Sequence, residues 1–352
     1  MTSTVGTGLP AAHGAPAATG RIRTEPEDFR VEEVLGFEPD GAGSHVLLTV
    51  EKRGANSGWV ASQLARAAGV AVRDVGFAGH KDRQAVTVQA FTVPLPVGEP
   101  LEPILAHSGE GYRVLSAARH GRKLRPGSHR GNRFELRVRD VSGDQAEVEA
   151  CLQRIAALGV PNYFGPQRFG REGANLQRAR DWAAGGAALR DRAQRGFALS
   201  AARSQLFNAV LAARVERGDW NRLLPGEAVM LDGKRSFFAA PTLDADMVAR
   251  CEAMDVHPSG PLPGRGSVPV TGEVLAVETR VLEGESALIG LLAAQGLERE
   301  RRSLRLPVRQ CRWQYDGADL LLEFTLPRGT FATAVLHELL ADAWDVGEGG
   351  EE

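Results

Sequence analysis

Stretches of period-two alternation near both ends of the chain, with helical patterns between and beside them, restrict the folds this sequence can adopt. Residues 84–93, "QAVTVQAFTV", alternate and are rich in β-branched side chains, which predicts a strand. Phe134, Leu136 and Val138 alternate with polar residues in "NRFELRVRD", and a third alternating stretch covers 318–325. Helical spacing predicts helices at 57–68, with Ser57 placed to cap it, and at 145–159, where Val148, Cys151, Leu152 and Ile155 share a face. Gly159 and Pro161 end that second helix. Further helices are expected at 200–218, 285–296 and 331–343, with short strands and Pro- and Gly-rich loops over 225–282. No regular strand–helix–strand repeat orders these segments. The expectation is therefore an α+β protein or mixed sheet, not a doubly wound one.

The 352 residues suggest about two domains. Lys and Arg number 42 and Asp and Glu 44, a net charge of −2, so a surface for a polyanion would have to come from local clustering. Cys151, Cys251 and Cys311 lie far apart with no paired spacing, and read as packed thiols in a reducing, cytoplasmic setting. No apolar run is long enough to span a bilayer, and no secretory signal is evident. Residues 1–18 read as a disordered tail and 346–352 as an acidic one.

The segment 75–91 carries the most chemistry. Gly79 permits a tight turn between predicted strands, with His80, Lys81, Asp82 and Arg83 displayed on it. Lys81 and Arg83 are expected to hold Asp82 ionised, as a nucleophile, a general base, or one half of a solvated ion pair. Arg119, Arg122, Lys123, Arg125, Arg130, Arg133, Arg137 and Arg139 form a basic stretch suited to phosphates or to a solvated face. Arg299, Arg301, Arg302 and Arg305 form a second cluster, interrupted by Glu298 and Glu300, that reads as a helix face. The Gly-rich 259–267 lacks the Gly-Lys-Ser/Thr of a phosphate loop.

The segment "AGHKDRQAVTVQ" resembles the signature of the TruD family of tRNA pseudouridine synthases at Ala78, Gly79, Lys81, Asp82, Arg83, Ala85, Val86, Thr87 and Gln89. The opening segment with Phe29, His45 and Asn56 is similar to the same family, as are "RKLRPGSHRGNRF", "GVPNYFGPQRFG", "LSAARSQLFN" and "LPRGTFATAVLHELL". Together they cover about residues 20–345 in the family's order.

The resemblance implies a pseudouridine synthase core with a mixed, largely antiparallel sheet and flanking helices, interrupted by an α/β insertion domain. Residues 19–158 and 305–345 would form the core and 159–304 the insertion. It implies isomerisation of a uridine in tRNA, at position 13, with Asp82 as nucleophile and no cofactor. Attack at the sugar C1′, attack at uracil C6 and abstraction of a ribose proton all remain open to that carboxylate. Phe29, Lys81, Asn132, Phe134 and Phe331 would meet the substrate, and Arg122, Lys123, Arg125 and Arg130 the RNA backbone. No protein partner and no membrane are implied. On pattern alone Phe134 reads as core, Asn132 as a turn residue and Phe331 as helix packing. A non-catalytic RNA-binding protein or tRNA chaperone is the alternative class. The chain departs from the family at His337, where an Arg is usual.

Overall fold

The structure, a computed structural model, describes residues 8–341. The expected acidic tail at 346–352, the first seven residues of the expected N-terminal tail and the last two of the helix expected at 331–343 lie outside that range. The described residues form two compact units: Thr19–Ser142 with Arg309–Gly329, and residues 8–18 with Gly143–Val308 and 330–341.

The first unit is built on a ten-stranded sheet. Its strands are β1 (Ala18–Arg21), β2 (Phe29–Val34), β3 (His45–Arg53), β4 (Gly76–Phe77), β5 (Val86–Pro94), β6 (Ser108–Gly109), β7 (Tyr112–His120), β8 (Gly131–Gly143) and a C-terminal hairpin, Arg309–Asp316 and Asp319–Pro327. From the hairpin the order runs β8, β2, β5, β3, β7, β6, with β1 on β8 and β4 on β5. β2 and β5 are parallel, while β3 with β5 and β7, and β8 with β2 and the hairpin, are antiparallel. The sheet is thus mixed and largely antiparallel, as expected.

Alternation sets the faces. Val46, Leu48 and Val50 of β3 and Phe91 and Val93 of β5 bury against Val60, Ala61 and Leu64 of helix α1 (Ser57–Ala67). Leu47 and Ala90 point the other way and pack with Leu124. The cap of α1 is Asn56, whose side chain accepts from Trp59 N at 3.3 Å, and not Ser57. The Ser57 hydroxyl bonds to Gln89 of β5 instead.

The second unit centres on a helix over Arg192–Glu216. It begins eight residues before the expected start because the Asp191 carboxylate caps Gln194 N at 2.7 Å. Leu206, Phe207 and Leu211 on it share a core with Tyr163, Phe169, Leu292 and Leu304. The arginine cluster near 300 is not a helix face. Arg301 lies in the strand Glu300–Ser303, buried, and pairs with Glu278 at 2.7 Å; Arg305 is buried against His257 at 3.1 Å. Hydrogen-bonded partners are what let such guanidiniums leave water.

Residues 8–18, expected to have little to pack, are docked on the helix Ala332–Leu339. The Glu338 carboxylate accepts from Ala12 N and His13 N, His337 Nε2 lies 3.0 Å from Leu9 O, and Tyr163 donates to Pro10 O. Burial raises Glu338 to about 7 and lowers His337 to about 4. His337 is therefore a neutral brace at ordinary pH.

The two shifts act oppositely on stability. The raised Glu338 contributes stability that is lost as pH climbs from about 4.5 to 7; the depressed His337 contributes stability that is lost as pH falls from about 6.5 to 4. They offset each other between these limits. Glu338→Gln should expose the histidine slope, so that urea-unfolding stability rises by on the order of 3 kcal/mol from pH 4 to 6.5, more steeply than in the parent protein. Parallel profiles for the two proteins would show that Glu338 does not titrate this way.

Candidate active site

The loop 78–85, between β4 and β5, carries Asp82. It is eight residues long and not the tight turn expected from Gly79, which does not adopt a positive φ. Side chains from three elements hold its backbone. Lys52 Nζ, from β3, donates to the carbonyls of Ala55 at 2.8 Å, Lys81 at 3.2 Å and Asp82 at 2.9 Å. Ser57 Oγ, from α1, accepts from Lys81 N at 3.1 Å and donates to Gln89 Oε1 at 2.7 Å. Gln89, on β5, returns its amide N–H to Gly79 O.

Asp82 itself stays 40% exposed at the side chain, and its Oδ2 accepts from Arg23 Nη2 at 2.7 Å. The expected partners are not the ones used. Lys81 turns inward to Glu33 Oε1 at 2.9 Å, and Arg83 donates from Nε to Gly54 O at 3.1 Å. Bonds at Gly79, Lys81 and Asp82 fix the loop with its neighbouring cations turned to other partners, and a long side chain from another segment reaches the carboxylate. Glu33 is fully buried and also accepts from Ala90 N at 3.1 Å. His129 sits beside this pair, kept below the ordinary imidazole range first by burial and then by the Lys81 charge.

Arg23 is held in left-handed backbone, φ 56°, which costs a non-glycine residue about 1 kcal/mol. Its guanidinium lies over the Phe29 ring at 4.1 Å while it pairs with Asp82. Phe29 meets Phe134 edge-on at 6.1 Å, and Phe134 stacks on Phe324 at 5.4 Å. The register explains this ladder: Val31 and Phe324 both stand opposite Phe134, and Phe29 stands opposite Leu136. Asp82, Arg23, Phe29 and Phe134 are thereby linked in one chain of contacts. Asn132 lies opposite Glu33 across β2 and β8, buried, with its Oδ1 unpartnered among the described residues. An amide oxygen left that way costs about 1–3 kcal/mol until something donates to it.

Of the expected substrate residues, Phe29, Lys81, Asn132 and Phe134 share the sheet unit with Asp82. Phe331 belongs to the helical unit, at the N-cap of Ala332–Leu339, packed on the helical core with the Arg168 guanidinium 5.8 Å from its ring. The basic stretch divides into two sets. Arg133, Arg137 and Arg139 pair with Glu323, Asp319 and Asp28, and Arg119 donates to Leu95 O. Arg122, Lys123, Arg125 and Arg130 are exposed; Lys123 reaches Arg73 O, and the three arginines carry no ion pair among the described residues.

Arg23, Glu33 and Lys52 escaped the sequence reading. Two of them had left a signal. Glu33 follows Phe29 and Val31, and Lys52 follows Val46, Leu48 and Val50, each as a charged residue on the buried face of its strand.

The family model for tRNA pseudouridine synthase D (TruD) matches this chain over residues 11–178 and 173–339. The chain belongs to the TruD family. The tRNA pseudouridine synthase D of Methylococcus capsulatus is 48% identical over 333 residues, 94% of each chain. That of Nitrosococcus oceani is 46% identical over 337 residues, 95% of this chain and 94% of its own. A crystal structure from Methanosarcina mazei, described as a candidate tRNA pseudouridine synthase D (TruD), shares the fold with a TM-score of 0.68 at 21% identity, covering 97% of this chain and 95% of that one. No helix among the described residues is long and apolar enough to cross a membrane.

The buried pair in this TruD-family protein yields a stability test. Glu33→Leu leaves the Lys81 ammonium buried without its carboxylate and should destabilise by about 3–5 kcal/mol in urea unfolding. Adding Lys81→Met should recover much of the loss. A double variant no more stable than the single one would show that the two charges are not coupled.

Proposed function

We propose that this protein is a tRNA pseudouridine synthase that converts a uridine of tRNA, at position 13, to pseudouridine with Asp82 as nucleophile. The observation that carries the reading is the full-length relationship to enzymes of that name together with Asp82, an accessible carboxylate on a loop whose backbone is fixed. Residues 19–158 and 305–345 are assigned to the catalytic core and 159–304 to the insertion domain. The compartment assigned is the cytoplasm.

The reaction breaks the bond from C1′ to uracil N1 and forms one from C1′ to C5. N1 gains a proton and C5 releases one to solvent, so no electrons or groups are exchanged with a second reactant. The scheme therefore calls for no cofactor. A stacked uridine has to leave the helix first, at a cost of a few kcal/mol. Phe29, under the guanidinium that pairs with Asp82, supplies an aromatic face with Phe134 behind it, and base stacking on such a ring is worth about 1–3 kcal/mol. The unpartnered Asn132 Oδ1 suits a uracil N–H. Lys81 acts from within by its pairing with Glu33, and Phe331 is a further substrate contact. Arg23 holds Asp82 in the absence of RNA, and the base takes the place of its guanidinium over Phe29.

Asp82→Asn removes the nucleophile and keeps the size of the side chain. It should abolish tritium release from tRNA carrying [5-³H]uridine while leaving tRNA affinity close to that of the parent. Appreciable release by this variant would end the nucleophile assignment. Tight tRNA binding by the parent protein without any release would instead place it with non-catalytic RNA chaperones.

Arg122, Lys123, Arg125 and Arg130 give the net-acidic chain a local positive surface. Replacing them together should lower the slope of log affinity against log salt by roughly 0.7 for each single-strand phosphate that is no longer neutralised. An unchanged slope would move the RNA path to another face.

A further inference from the structure

We infer that Lys52 is a positioning residue for the reaction: its buried ammonium fixes the main chain at Lys81 and Asp82 and so aims the Asp82 carboxylate. The inference rests on the reading of Asp82 as nucleophile.

Lys52 is 1% exposed and stands on the apolar face of β3, directly after Val46, Leu48 and Val50, where a hydrophobic side chain would ordinarily sit. An ammonium removed from water costs several kcal/mol unless its donors are used. Here all three N–H groups have an acceptor, and all three are main-chain carbonyls, of Ala55, Lys81 and Asp82. Among the described residues no carboxylate pairs with it directly. This geometry ties the peptide of the nucleophile to the rigid centre of the sheet, because β3 is hydrogen-bonded on both sides, by β5 and β7. The register places Lys52 opposite Thr87, five residues beyond Asp82, so the tether closes a short loop.

Ser57 and Gln89 hold the Lys81 N–H and Gly79 carbonyl of the same loop. Neutral groups suffice for those two points. Of these three side chains Lys52 is the one that reaches Asp82, and it does so through the carbonyl, leaving the carboxylate to Arg23 and to substrate. The charge has a second consequence. Burial is the main cause that lowers Lys52 to about 8; the charge of Asp82 opposes the shift and that of Lys81 adds to it. Beyond these, Arg23 pairs with Asp82 and Glu33 with Lys81. Above its pKa the amine keeps two donors for three carbonyls, and the loop loses one tether.

The test is single-turnover tritium release from [5-³H]uridine tRNA, with tRNA affinity measured in parallel, for Lys52→Met and Lys52→Arg over pH 6–10. Lys52→Met is expected to lower the chemical rate by about 100-fold, the scale of a misplacement of about 1 Å, with tRNA affinity within twofold of the parent. The parent rate should fall as pH rises through about 8, and in Lys52→Arg that limb should move upward or vanish because a guanidinium does not titrate there. A Lys52→Met rate within threefold of the parent would overturn the inference. So would a limb near pH 8 that persists in Lys52→Arg, or a parent rate that stays level from pH 7 to 9, which decides the matter even if neither variant folds. Failure of the proposed function looks different: the parent protein itself would then release no tritium.

Discussion

The organisation of the site depends on hydrogen bonds from buried side chains to one short stretch of main chain. Loop peptides ordinarily turn to water for their partners, and the exchange leaves them mobile. In residues 79–82 the carbonyls of Gly79, Lys81 and Asp82 and the N–H of Lys81 are instead taken by Gln89, Lys52 and Ser57. Each of these comes from an element that the core already fixes. The loop thus acquires the rigidity of the sheet without being part of it, while the Asp82 side chain keeps its access to solvent. Preorganisation of this kind places a reacting group before substrate arrives.

Charge separation follows from the same arrangement. Two carboxylates, Asp82 and Glu33, and two long cations, Arg23 and Lys81, occupy one region, yet each acid takes a different base. The parallel placement of β2 beside β5 delivers Glu33 beneath the loop, where it takes Lys81 inward. Asp82 is then left to a guanidinium that is itself stacked on Phe29. The inner pair is structural and nearly sealed; in the outer pair the Asp82 side chain remains open to solvent. Had Lys81 paired with its neighbour, Glu33 would be a buried charge without a counter-ion, a far more costly state.

Much of the secondary structure was legible because period-two and helical patterns are local. The strands at Val86–Pro94 and Asp319–Pro327 and the helix at Gln145–Leu158 fall within a few residues of expectation. What the pattern could not carry was the destination of side chains. Ser57 has the chemistry of a helix cap, but Asn56 precedes it and the hydroxyl finds Gln89. The partner of Asp82 lies 59 residues away in the chain, at Arg23, and no spacing rule links them. Arg301 and Arg305 look like a solvated face until the strands around them supply Glu278 and His257. Residues 8–18 are poor in side chains able to drive burial, but their backbone N–H and carbonyl groups find Glu338 and His337. In each case the missing information was tertiary.

The division of the basic stretch 119–139 shows why counting charges along a chain misjudges a surface. Arg133, Arg137 and Arg139 alternate along β8 and meet acids from the hairpin and from Asp28, so their field is cancelled at short range. Arg122, Lys123, Arg125 and Arg130 lie in the segment between β7 and β8, where no strand neighbour brings an opposing acid. The loop cations still project charge over a Debye length of about 8 Å. A net-acidic protein can therefore present a cationic edge, because the register of β8 neutralises its own cations and leaves those of the loop before it.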